Sequence, residues 1–494
     1  MQPHPSGDQD GLRFRHALIR DAAYDGLPKR VRADLHERHA AWLEANAAVD
    51  GLVGYHLEQA VLLARELGRR DEHVDELARR AGDLVGRAGR RAARRGDVPA
   101  AVSLLERALA VAGESAPLLD ELGTALTRAG EFARAEEAVQ RATTAARAAG
   151  DRVVELRATV QHQFIRSFAS ESREAAENAR VAESVLPELE RLDDQLGLAK
   201  AWWLLSETAV IEARWSDRAE ALERALEHAR RAADARPEVS AAAALLAQAL
   251  YYGPTPAAEG VQRCRELIAD AGRDGSLRAG VSVSLAGFLA MQGEPEEARS
   301  LYADATALYD EFGLRFRRVT AAPIGADIEV RAGDTSAAEH ALRDAYLVLE
   351  AMGERGVRST LAACLADLLA QLRRDEEAES FAEIARSLAE ADDVATQVLW
   401  RASLARVLGR RGEAGQARDL AMGALTLAEA TDSPQLLAAA HVAQASALAT
   451  TDRHAARGHL DLATSAYRAK GDLVAAAQLE RERSPSLGTR STRE

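Results

Sequence analysis

Few residues of this 494-residue chain have types and spacing suited to chemistry, and the nearest approach to a metal site fails on spacing. The run His36-Glu37-Arg38-His39 resembles a zinc-hydrolase helix. Two ligands on one helical face with a glutamate base require histidines four apart, however, and these are three apart. His39 instead falls on the apolar stripe Val31, Leu35, His39 and Trp42, which predicts a hydrogen-bonded core histidine. A phosphate-binding loop needs a lysine directly after glycine to reach the β and γ phosphates. The only lysines are Lys29, Lys200 and Lys470, and none follows a glycine. Cys264 and Cys364 each sit inside an apolar helical pattern, which predicts buried thiols and no disulfide framework. These observations predict no catalytic residue, no cofactor and no metal, and hence no enzyme.

What remains are side chains suited to recognition. Trp202, Trp203, Trp400 and Arg401 occur in apolar helical segments, and Arg317, Arg318 and Arg358 are weaker companions. Aromatic and arginine side chains dominate binding energy when they occupy pockets. Adjacent tryptophans on a helix point about 100° apart, so one of Trp202 and Trp203 can leave the core. The alternative is that both pack between helices, where tryptophan is usually found. Arg90, Arg91, Arg94 and Arg95, with Arg79, Arg80 and Arg87 nearby, form a basic stripe. It is either a contact for an acidic protein surface or a solvated face balanced by Asp71, Glu72, Asp75, Glu76 and Asp83.

The elements that must position these groups are legible as a repeat. An alanine follows a turn signal at Ala101, Ala135, Ala175, Ala221, Ala258, Ala298, Ala338, Ala378, Ala417 and Ala456, at gaps of 34 to 46 residues. Seven residues on, eight of the ten have a second alanine: Ala108, Ala142, Ala182, Ala305, Ala345, Ala385, Ala424 and Ala463. His228 and Arg265 break the rule. Chance does not hold such a register across most of a chain. Gly96-Asp97, Gly130-Glu131, Gly293-Glu294, Gly333-Asp334 and Gly412-Glu413 read as a left-handed helix cap followed by an acid favouring the next helix N-terminus. Each repeat is therefore helix, tight turn, helix. The paired alanines let the two helices approach closely, and no hairpin buries its apolar face alone, so the hairpins stack.

Gly89, Ala101, Ala108, then Leu122-Gly123, Ala135 and Ala142 resemble the tetratricopeptide pattern, and the later repeats a lengthened form of it. Residues 14–44 (FRHALIRDAAYDGLPKRVRADLHERHAAWLE) and 54–67 (GYHLEQAVLLAREL) resemble the helical segment after the winged helix of large bacterial signalling ATPases. Residues 392–421 and 467–480 resemble the closing repeats of adenylate/guanylate cyclase-like multidomain proteins of that kind. The resemblance covers residues 13–480, but the cyclase and P-loop domains of those proteins have no counterpart here. It implies an all-α, tetratricopeptide-like helical-hairpin solenoid, a right-handed superhelix of about ten repeats. It also implies first helices lining a concave groove that takes a protein or peptide, with a separate ATPase, cyclase or winged-helix chain as partner.

The expected organisation is a disordered tail over 1–12, a helical segment over 13–75, the solenoid over 76–480 and a disordered tail over 481–494. Phe14, Leu18, Ile19 and Tyr24 would present an uncovered apolar patch, which docks a partner or marks a fragment. The formal net charge is −14. Residues 1–100 hold 17 basic and 16 acidic side chains, so the remainder carries −15 and repels phosphate backbones. No apolar run is long enough to span a bilayer, the start lacks a secretory signal, and a cytoplasmic location is expected. The functional expectation is a non-catalytic interaction scaffold or sensor module of a signal-transduction ATPase. The alternatives are a truncated relative of the cyclase or ATPase proteins, and a winged-helix type transcriptional regulator.

Overall fold

The computed structural model describes residues 2–6, 9–13, 16–46, 49–169, 175–272 and 274–483. Phe14 and the stretch Ser484 to Glu494 lie outside them. The chain is an all-α array of antiparallel helical hairpins. Among the described residues, the one departure is a short antiparallel pairing of Gln2–Ser6 with Gln9–Arg13, where the sequence reads as a disordered tail.

The hairpins begin with the turn glycines. Gly96, Gly130, Gly293, Gly333 and Gly412 all adopt the left-handed conformation, with φ between +79° and +90°. That conformation lets the next amide reach back to an orphan carbonyl. Glu131 N bonds Leu126 O at 2.9 Å, Glu294 N bonds Leu289 O at 3.0 Å and Glu413 N bonds Leu408 O at 3.0 Å. Ala213 and Arg373 make the same turn without glycine, at φ +52° and +59°. A Cβ there costs about 1–2 kcal/mol.

The small side chains then set the packing. Ala101, Ala108, Ala135, Ala142, Ala298, Ala305, Ala338, Ala345, Ala378, Ala385, Ala417 and Ala424 are all at most 4% exposed. Two repeats depart from the register read in the sequence. In the fifth, Ala258 is exposed, and Ala257 with Cys264 takes the buried seven-step one residue earlier. In the fourth, the buried pair in phase with the helix start is Arg218 and Ala225. Glycine extends the logic where even a methyl is too large: a Cβ on Gly280 would stand 2.4 Å from Ala244 Cβ.

The chain divides into two compact units. Unit 1 comprises residues 1–92 and 100–122. Its helices Lys29–Ala45, Asp50–Glu66 and Glu72–Arg94 close on a core that includes Leu43, Val53, Leu57, Val61, Leu77 and Leu84. Glu58, 5% exposed, is held there by Arg107.

Unit 2 comprises residues 93–99 and 123–494. Its hairpins curl until the late ones meet the early ones. Asp392 Oδ2 accepts from Ala175 N at 2.9 Å, and the Asp432 carboxylate accepts from Trp215 N and Ser216 N, both at 2.7 Å. Each aspartate thus caps a helix N-terminus 217 residues upstream. Three orphan donors and two positive helix ends are satisfied from another turn of the array. Lys470 Nζ closes the same seam, donating to the carbonyls of Leu250, Gly253 and Thr255 at 2.8, 2.7 and 2.7 Å. Beside it, Arg331 grips Asp472 at 2.6 Å, both side chains at most 8% exposed.

Candidate functional site

Two surfaces, one in each unit, carry groups that the fold itself does not use. The first is on unit 1. The stripe Val31, Leu35, His39 and Trp42 is exposed, at 39%, 46% and 47% for Val31, Leu35 and Trp42. This corrects the expectation of a core histidine at His39. The helix turns its other face inward, burying Ala33, His36, Ala40 and Leu43. His39 stacks on Trp42, with ring centroids 5.5 Å apart and planes 11° from parallel. Leu18 and Ile19 are also exposed, whereas Tyr24 is half-buried. Val49, Leu52, Tyr55, Leu62 and Leu67 continue the exposed apolar character. Among the described residues, ten of the fourteen exposed large apolar side chains lie between Leu18 and Leu67.

Behind that face, His36 rather than His39 is the buried ring. Its Nδ1 lies 2.8 Å from His56 Nδ1, and its Nε2 lies 2.8 Å from Tyr24 Oη. One imidazole must donate and the other accept, so the contact fails when both are protonated. Burial, then the charges of His39 and Arg32, lowers the His36 pKa. Burial, then His39 and His36, brings His56 to about 4. Folded-state values below the ordinary 6.5 mean that the unfolded chain binds more protons between about pH 6.5 and 4. The pair's contribution is therefore present above pH 6.5 and lost as pH falls toward 4. Hydrogen exchange over residues 29–66, corrected for intrinsic rates, should show protection dropping between pH 7.5 and 5. An equal drop in a His36→Phe/His56→Leu variant would refute the assignment. Among the described residues, no cluster of three or more His, Cys, Asp or Glu side chains is placed to hold a metal ion.

The basic stripe nearby is matched by carboxylates. Arg80 meets Glu44 at 2.8 Å, Arg90 meets Glu121 at 3.1 Å, and Arg87 and Arg91 share Asp50 at 3.3 and 2.8 Å. Arg79 pairs with Glu76. Apart from Glu76, these acids lie on neighbouring helices and not on the acidic run 71–83 of the same one.

The second surface is the interior of unit 2, where a cavity of about 440 Å³ opens between the hairpins. Of the seven recognition candidates, it brings together only Trp203 and Arg317. Trp202 is half-buried and does not line it. Trp400 is 6% exposed and covered by Arg401, whose guanidinium lies 4.2 Å from the ring centroid and donates to Gln397. Arg358 is taken up by Glu350 at 3.2 Å, and Arg318 approaches Asp310 at 3.7 Å.

Part of the cavity wall is aromatic. Phe164 meets Trp203 edge-on at 5.0 Å, and Trp215 packs on Tyr252 at 5.0 Å. Its carboxylates are engaged: Glu207 faces Arg218 at 3.7 Å, Asp327 accepts from Tyr251 Oη at 2.7 Å, and Asp367 accepts from Arg406 at 2.8 Å. Arg128, which the sequence did not single out, also lines the cavity, in the last turn of the helix ending at Ala129. Burial lowers the pKa of Arg128 and of Arg317, and each has a nearby carboxylate field opposing that shift. The two arginines also repel one another. Cys364 lines the wall as well, its thiol pushed far above the ordinary range by burial, while burial takes Cys264 to about 12. Neither thiol forms a disulfide. Thiols so protonated are poor nucleophiles.

Among the described residues, no helix is long and apolar enough to cross a membrane. No protein-family model matches the sequence, and no curated protein matches it. Among solved structures, the chain is similar to yeast Tom70 (TM-score 0.37, 11% identity, covering 92% of this chain and 97% of that one). It is also similar to a chain of the APC/C hetero-tetramer Cut9-Hcn1 (TM-score 0.44, 16% identity, covering 94% and 99%). A third likeness is to Rap protein complexed with competence and sporulation factor (TM-score 0.49, 12% identity, covering 74% and 99%).

Proposed function

We propose that the chain is a non-enzymatic recognition scaffold that binds a protein or peptide, and that it serves as the sensor module of a bacterial signal-transduction ATPase. The observation that supports this reading best is the apolar face of unit 1. Leu18, Ile19, Leu35, Trp42, Leu52 and Tyr55 are among the ten of fourteen exposed large apolar side chains of the described residues that lie between Leu18 and Leu67. Large apolar side chains concentrated on a surface mark a protein contact. The stretch that carries it resembles the segment behind a winged helix, so the occupant we propose is a winged-helix domain of a separate P-loop ATPase chain. Of the basic stripe, Arg80, Arg87, Arg90 and Arg91 are spent on Glu44, Asp50 and Glu121, which speaks against a nucleic-acid role for them.

The test mixes the full chain with winged-helix ATPases of the same genome and follows complex formation by light scattering. One of them is expected to bind at micromolar concentration, with at least tenfold weaker binding for Leu35→Glu/Trp42→Glu at unchanged far-ultraviolet dichroism. Binding indifferent to that variant would remove the docking reading. Saturable micromolar binding of ATP to the chain alone would remove the non-enzymatic one.

A further inference from the structure

We propose that the cavity inside unit 2 is a binding site for a small amphipathic organic anion, an aromatic or aliphatic body with a carboxylate or phosphate head that Arg128 and Arg317 receive. This goes beyond the docking role of unit 1 and does not rest on it. A cavity of about 440 Å³ is in the size class of small-molecule sites, which run from roughly 300 to 1,000 Å³. Phe164, Trp203, Trp215 and Phe316 supply the apolar wall such a body needs.

Four donor groups around this wall lack acceptors. Neither the Arg128 nor the Arg317 side chain takes part in a hydrogen bond or ion pair among the described residues, although both are partly buried and line the cavity. Elsewhere in the chain arginines are lavishly paired, as with Arg152 and Glu188 at 2.7 Å or Arg299 and Glu329 at 2.6 Å. The indole Nε1 atoms of Trp203 and Trp215 are buried and likewise lack acceptors. Buried donors without partners are costly and uncommon, and two repelling guanidiniums beside them are costlier still. An oxyanion entering the cavity supplies acceptors to donors that lack them. A guanidinium suits carboxylate and phosphate alike, because its planar fork matches both. A smaller recess of about 30 Å³, sharing Arg128, Phe164 and Trp203, adds the buried ammonium of Lys200 to the same region.

The experiment is calorimetric titration of the full chain with 1-naphthylacetate, its neutral isostere 1-naphthylacetamide, 1-naphthyl phosphate and a ten-residue acidic peptide. Tryptophan fluorescence serves as a second readout. At least one of the two naphthyl anions should bind, the amide at least tenfold more weakly, and Arg128→Met/Arg317→Met should erase the preference. The stronger of the two anions identifies the head group. The unliganded double variant should melt at the same or a higher temperature than the parent, because it removes two partly buried charges without ion-pair partners that repel each other. A variant that melts markedly lower would assign the arginines a structural role and overturn the proposal. Equal binding of acid and amide, binding unaffected by the double variant, binding of the peptide alone, or no binding at all would each overturn it too.

Discussion

Lys470→Met is expected to destabilise the chain by about 3–5 kcal/mol, read as the shift of the first guanidinium unfolding midpoint. The Lys470 side chain is fully buried and supplies the three carbonyls of Leu250, Gly253 and Thr255 with their donor. Methionine fills a similar volume but donates nothing, and each buried carbonyl left without a partner costs roughly 1–3 kcal/mol. The loss stays below three times that figure because the ammonium is itself expensive to bury. Desolvation draws its pKa down to about 7, against the pull of Asp472 and Asp432. Arginine does not rescue the site, because a compact ammonium with three rotatable donors fits a carbonyl cradle that a planar fork does not. Lys29→Met is the control. Its pairing with Glu66 at 2.9 Å is about half exposed on both sides, and such pairs contribute about 0–1 kcal/mol. A change below about 1 kcal/mol in Lys470→Met would show that water replaces the ammonium and that the seam does not hold the unit closed.

Ala424→Leu is expected to cost about 2–3 kcal/mol, because a fully packed helix crossing has no room for three more heavy atoms. Ala424 is 0% exposed on the helix Ala414–Glu429, between Val394–Arg411 and Pro434–Leu448. Interiors are packed nearly as densely as molecular crystals, so the added branch is accommodated only by separating backbones or forcing strained rotamers. Met422→Ala on the same helix is the comparison, since Met422 is 52% exposed and its loss should fall within about 0.5 kcal/mol of the parent. Urea midpoints measure both. Were the leucine tolerated at the alanine site as readily as the alanine at Met422, the alanines would be a habit of composition and not a packing requirement.

The same contrast explains what could be read in advance. The repeat was legible because its requirements are local: a turn that wants left-handed backbone selects glycine, and a close crossing selects methyl-sized side chains. The register slipped by one residue at Ala258, where two adjacent alanines satisfy the pattern equally and only burial distinguishes them. It slipped at Ala221 because the buried position in phase with the helix start belongs to Arg218, which engages Glu207. His39 was misplaced for a related reason. Helix Lys29–Ala45 carries two faces with apolar residues, and the bulkier one, with Leu35 and Trp42, is the one left outside.

Composition and spacing by themselves determined the helical hairpins, the alanine contacts and the absence of a phosphate loop, because each is decided within a few turns of one helix or one hairpin. Only the tertiary structure decided which of the recognition candidates share a site. Arg128 and Arg317 are 189 positions apart in the chain and come to one cavity because the hairpins curl. The curl is set by contacts such as Asp432 with Trp215, at a separation of 217 residues, for which no local pattern exists. Trp400 and Arg401 look like anchors in a linear reading and prove to be each other's cover once folded. Local sterics write the repeat into the chain, whereas the cavity and its unpaired charges arise from the sum of many small rotations between repeats, each within the tolerance of the local rules.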